Sequence, residues 1–113
     1  MLDTDRTPYA VLDNGEPRWA LAGGPDDPGL TEDYAIVSRV FNRETHTPIL
    51  EVSGLAHFGT EAAADLVTSE TLLREALHDA PRGWSQMNLE LVLRVRVING
   101  AAAVPEVMAT HYW

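Results

Sequence analysis

The sequence predicts an α+β domain: a mixed β-sheet in the order β-β-α-α-β-β, with two helices packed on one face. Three observations carry this expectation. Residues 89–98 alternate apolar and polar side chains, residues 63–80 repeat apolar side chains at helical spacing, and two Asn-Gly pairs mark tight turns.

The elements follow in chain order. Tyr9-Ala10-Val11-Leu12 and Arg18-Trp19-Ala20-Leu21 flank Asp13-Asn14-Gly15-Glu16, which predicts a hairpin. The stretch from Gly23 to Gly29 is a loop by composition. Tyr34 to Phe41 is rich in β-branched and aromatic residues on both faces, as in a strand covered on both sides. Ile49 to Val52 is a second, shorter strand. Gly54 to Gly59 turns the chain into a helix, with Thr60 as the expected N-cap and Glu61 in the first turn. Ala63, Leu66 and Val67 share one helical face. Thr68-Ser69 then interrupts and offers a second cap, and Leu72, Leu73, Ala76, Leu77 and Ala80 form the next stripe.

Pro81-Arg82-Gly83 ends the helical region. Leu89, Leu91, Leu93, Val95 and Val97 then fall on one side of a strand, with Glu90, Arg94 and Arg96 on the other. Asn99-Gly100 begins a turn, and Val104 to Tyr112 returns as the last strand, with Pro105 at its boundary. Residues 49–98 therefore form a β-α-α-β crossover whose two strands run parallel.

At 113 residues the chain has the size of one domain, large enough for a core without covalent staples. It contains no cysteine, which excludes disulfides, thiol catalysis and cysteine-held metal. All eight basic residues are arginines, so no Schiff-base or phosphate-loop lysine exists. The net charge of −9 argues against nucleic acid or an anionic membrane as partner. No run approaches ~18 apolar residues, and the start is acidic where a signal peptide is basic, so a cytoplasmic location is expected. Charge also divides the chain. Residues 1–33 carry eight acids against Arg6 and Arg18, and the remainder nine acids against six arginines. Residues 1–32 are read as an acidic, Pro/Gly-rich arm or hairpin, and 33–113 as the compact domain.

The second part carries a recognisable pattern. Its pieces are Glu32-Asp33-Tyr34-Ala35-Ile36-Val37-Ser38-Arg39-Val40, Gly54, Phe58-Gly59-Thr60, Pro81, Gly83-Trp84, Val97-Ile98-Asn99-Gly100 and Ala109-Thr110-His111-Tyr112-Trp113. In these, residues 33–113 resemble a domain found towards the C-terminus of many uncharacterised acidobacterial proteins. The resemblance implies a modular sensing or interaction domain, and brings no activity, cofactor or catalytic residue with it.

Candidate chemistry concentrates in the turn from Gly54 to Thr60. A glycine-bearing strand-to-helix turn aims backbone N–H groups at a place where an anion can sit. His57 lies in it, Gly59 precedes Thr60, and Thr60 stands where a phosphate loop needs lysine. Ser53, His57 and Asp65 can be drawn as a hydrolase triad, but the flanking Glu51 and Leu55 do not make a nucleophile elbow. Arg39, Arg94 and Arg96 all lie in predicted strands. They either form a cationic patch that takes an anionic ligand or the acidic arm, or pair across strands with Glu51, Glu90 or Glu106. No two of His46, His57, His78 and His111 stand three to five apart, so no local metal motif is present.

The chain ends Ala109-Thr110-His111-Tyr112-Trp113, and a Val107- and Trp113-bearing terminal strand invites pairing with a second copy. The resulting expectation is a non-enzymatic, homo-oligomeric interaction module without cofactor, metal or catalytic residues. The alternative is an anion sensor or small enzyme built on Gly54, His57, Gly59 and Thr60 with Arg39, Arg94 and Arg96.

Overall fold

The structure, a computed structural model, describes residues 2–6, 9–21 and 27–113, with side chains from Ala10 onward apart from Leu12. Strands β1 (Leu2–Arg6), β2 (Tyr9–Asp13) and β3 (Glu16–Ala20) form an antiparallel sheet in that order. The predicted hairpin is β2–β3. Asn14 and Gly15 adopt positive φ of 52° and 83°, the conformation that lets a two-residue turn follow the strand twist. The strand β1 was not anticipated, because Asp3, Thr4, Asp5 and Arg6 carry no apolar alternation.

The main sheet holds β4 (Glu32–Phe41), β5 (Pro48–Gly54), β6 (Leu89–Ile98), the two-residue β7 (Ala101–Ala102) and β8 (Glu106–Tyr112). Its backbone path runs β5-β4-β6-β8, every neighbouring pair being antiparallel, with β7 also on β6. Since β5 and β6 both oppose β4, they run in the same direction on either side of it. The crossover between them carries α1 (His57–Thr68) and α2 (Glu70–Ala76), followed by a single 3-10 turn (Trp84–Gln86). Among the described residues, no helix is long and apolar enough to cross a membrane.

Strand phase sorts the core into two layers. Ala35 and Val37 of β4 lie on the same side as Leu89, Leu91 and Leu93 of β6, and meet Ala63 and Leu66 of α1. Val67, Leu72, Leu73, Ala76 and Leu77 close over them, as the apolar stripes require. On the opposite side, Val92 packs with Val11 and Trp19 of the N-terminal sheet, bordered by Tyr34, Ile36 and Ala109. The central strands are thus covered on both faces, which explains the apolar run of β4 and the burial of Val92. Among the described residues, the N-terminal sheet meets the main sheet through these apolar side chains.

Ser69 caps α2 as expected, its hydroxyl accepting the Leu72 N–H at 3.2 Å. Thr60 does not cap α1. The helix begins at His57, three residues earlier, and its N-cap is Ala56, which has no capping side chain. The last strand starts at Glu106 rather than Val104, since Pro105 has no N–H for a ladder.

Candidate functional site

The turn from Gly54 to Thr60 is built around one buried carboxylate. Asp33 is fully buried near the start of β4. Its Oδ1 accepts the Tyr34 N–H at 2.7 Å and the Ala56 N–H at 3.1 Å, and its Oδ2 accepts the Gly59 N–H at 2.5 Å. Asp33 therefore does from a distant strand what an N-cap side chain ordinarily does locally. Burial pushes its carboxyl above the usual aspartate range. The hydrogen bonds from Gly59, Tyr34 and Ala56 and the nearby His57 pull it down, less strongly.

Both glycines answer to close packing. A Cβ on Gly54 would stand 2.3 Å from the Thr60 nitrogen and 2.5 Å from the Ala56 oxygen. On Gly59 it would stand 2.7 Å from the Tyr34 oxygen and 2.8 Å from Asp33 Oδ2. Thr60 Oγ1 accepts the Gly54 N–H at 3.0 Å, tying the end of β5 to the first helical turn. The turn has the anion-receptive geometry read from the sequence, and the anion it holds is the chain's own Asp33. The Ala56 and Gly59 amides of the expected ligand site are already engaged. His57 is exposed beside this turn and lines a cavity of about 460 Å³ with Leu30, Phe58 and Val97. No hydrogen bond joins Ser53, His57 and Asp65, all three being exposed.

The three arginines do not form one patch. Arg94 and Arg96 lie on the face of β6 that carries Val92, and Arg94 Nη2 donates to Glu106 Oε2 at 2.8 Å. Arg96 Nε stands 3.4 Å from Glu106 Oε1, and Arg94 Nε 3.9 Å from Glu32 Oε1. This is the cross-strand pairing alternative, with Glu106 as the shared acid. The Arg94 hydrogen bond holds the Glu106 carboxyl below the usual glutamate range. Stability contributed by this pair is thus present above the ordinary value of 4.5 and lost as pH falls through the lower folded value. Carbon-detected NMR titration should find the Glu106 midpoint below 4.5, returning towards 4.5 in Arg94→Gln; an unchanged midpoint in that variant would remove the assigned cause.

Arg39 is on the opposite face, among the helices. It shares the strand phase of Ala35 and Val37, so its side chain runs under the 3-10 turn. Its Nη2 donates to the backbone oxygens of Met87 at 2.7 Å and Trp84 at 3.0 Å. The guanidinium carbon lies 5.1 Å from the Phe41 ring centre and 5.4 Å from that of Trp84, within cation–π range. Its Nε is buried and has no hydrogen-bond partner. Beside it opens a cavity of about 290 Å³, whose walls are the side chains of Val37, Leu50, Val67, Leu73, Leu77, Trp84, Leu89 and Leu91.

The aromatic terminus divides between core and surface. Tyr112, half-buried, packs against the helical core, and Ala109, also half-buried, under the N-terminal sheet. Val107, His111 and Trp113 are exposed, His111 stacking on Trp113 at 5.0 Å between ring centres. The Trp113 backbone exchanges hydrogen bonds with that of Asn88, at 2.9 and 3.1 Å. The strand β8 is also bulged, with Met108 inserted between the partners of Val92 and Leu93.

A third cavity, about 310 Å³, lies between the hairpin and β8, lined by Asp13, Arg18, Trp19, Glu90 and His111. Arg18 pairs with Asp13 at 2.8 Å there. Among the described residues, no group of three His, Asp or Glu side chains is placed to hold a metal ion.

Neither a protein-family model, nor a curated protein, nor a solved structure matches this chain. The features that sequence reasoning missed are Asp33 as a cap and the separate cavity over Arg39. Asp33 had a signal of its own, an acid one residue before an apolar strand, but its partners lie 23 and 26 residues away.

Proposed function

We propose that the chain is a non-enzymatic interaction module that self-associates through the outer edge of β5. The observation that carries this reading is the form of that edge. β5 pairs with β4 over seven consecutive residues without a bulge, and among the described residues no strand pairs with its other side. Pro48 to Glu51 are exposed, with Ile49 48% and Leu50 54% accessible on opposite faces. Val40, 37% exposed, stands directly across from Ile49 and extends the apolar patch.

A regular strand with free N–H and C=O groups and apolar side chains is a template for another strand. The edge of β8 suits pairing less well, because its bulge breaks the regular ladder. A second copy joined along β5 would continue one sheet across a two-fold axis, as in closed symmetric dimers. The resemblance of residues 33–113 to a modular bacterial domain agrees with a role in interaction. Each copy carries a charge of −9, so association should strengthen as salt screens the repulsion.

Light scattering on a sizing column, over a concentration series at low and high salt, tests the reading. A dimer mass that grows with concentration and salt, lost in Ile49→Lys and kept in Val107→Lys, is the expected result. A monomer under all conditions, or a dimer indifferent to Ile49→Lys, overturns it.

A further inference from the structure

The geometry points to the cavity over Arg39 as a binding site for a small apolar monocarboxylate. Two features that rarely occur together meet there. The walls are aliphatic and aromatic, while one end presents a cation that no carboxylate of the described residues pairs with. A guanidinium has five N–H donors. The Nη2 pair is engaged by the carbonyls of Trp84 and Met87, which leaves the buried Nε–H without an acceptor. Arg39 as a whole is half-buried, but its Nε–H is a buried donor that ordinarily has an acceptor, and a cation against apolar walls gains from a counter-charge. A carboxylate supplies both, one of its oxygens accepting the Nε–H in a charge-assisted hydrogen bond.

The rest of the ligand follows from the walls. Val67 and Leu73 from the helices and Leu77 just after α2 face Val37, Leu89 and Leu91 from the sheet, which suits an alkyl or aryl tail. At about 30 Å³ for each non-hydrogen atom, a cavity of this volume holds roughly ten of them. Octanoate has that size. Leu50, more than half exposed, stands at the wall of the cavity on the edge strand.

The competing role for Arg39 is a staple that only holds the turn at 84–87, and the test separates the two. Octanoate and the neutral 1-octanol are titrated into the full chain and followed by tryptophan fluorescence and calorimetry. Expected is saturable one-to-one binding, with octanoate at least about tenfold tighter than octanol. Arg39→Gln should abolish that preference while octanol binding remains. Leu50→Trp, which narrows the cavity and leaves Arg39 in place, should weaken both ligands at unchanged circular dichroism.

Absence of saturable octanoate binding to the native chain up to about 10 mM overturns the proposal. So does equal affinity for octanol, or a folded Arg39→Gln that keeps the preference. Should Arg39→Gln fail to fold, Leu50→Trp decides, and undiminished octanoate binding to it overturns the assignment.

Discussion

Replacing Asp33 with alanine is expected to lower the stability of the chain by about 3 kcal/mol. The reason is the number of donors that lose their acceptor together. Ala56 and Gly59 present buried N–H groups at the start of α1, and neither Ala56 nor the helix's own residues supply a cap. Each unsatisfied buried donor costs about 1–3 kcal/mol, more where its partner was charged. Asp33→Asn keeps one acceptor oxygen but turns an NH₂ group towards the amides, so an intermediate loss of about 1–2 kcal/mol is expected. Urea unfolding followed by circular dichroism measures both. Equal stability of Asp33→Ala and the native chain would mean that water replaces the carboxylate at no cost.

The same residue sets a pH dependence whose sign runs against that of Glu106. Burial raises the Asp33 carboxyl above its ordinary 3.8, so the folded state holds the proton more tightly than the unfolded state. Its contribution to stability is complete below 3.8 and is lost as pH rises through the higher folded value. The native urea midpoint, taken relative to Asp33→Asn, should therefore fall as pH increases across this window. A relative midpoint that rises instead would show that the three amides outweigh burial.

Gly54→Ala is expected to have an effect of similar size, again about 3 kcal/mol, through overpacking. The added methyl meets the Thr60 nitrogen and the Ala56 oxygen, backbone atoms of the first helical turn that cannot rotate away as a side-chain tip does. Relief requires β5 and α1 to separate, which also lengthens the hydrogen bond from Gly54 to Thr60. Gly83→Ala is the matched control. Gly83 has φ of 84° but open space around its Cβ position, so backbone strain alone acts there, at about 1 kcal/mol. Denaturant midpoints of the two variants should differ accordingly, and equal losses would contradict the close approach at Gly54.

Local signals determined a large part of this molecule. The alternation of Leu89 to Val97 with Glu90, Arg94 and Arg96 identified β6 and its core face, because side chains on a strand repeat every two residues. Asn14-Gly15 and Asn99-Gly100 each formed a positive-φ turn, which their own backbone preferences favour. Ser69 capped α2, and the stripes at Ala63, Leu66, Leu72, Leu73, Ala76 and Leu77 turned inward. Each of these is an interaction within a few residues of chain.

What the tertiary structure decided depends on register and on contacts far apart in sequence. Arg39 and Arg94 sit in neighbouring strands, and only the pairing of Arg39 with Leu89 puts Arg39 under the helices and Arg94 on the other side. A shift by one residue would have joined them in one patch. Val11 and Trp19 became core because Val92 on the far face of β6 needed covering, a demand visible only once the sheet exists. The turn at Gly54 carried the mark of an anion site in its own residues, but its anion came from Asp33, which the antiparallel β4–β5 pairing brings to the start of α1. Local backbone preference and side-chain period are written along the chain, whereas the acceptor of a buried amide is a matter of which strand lies beside it.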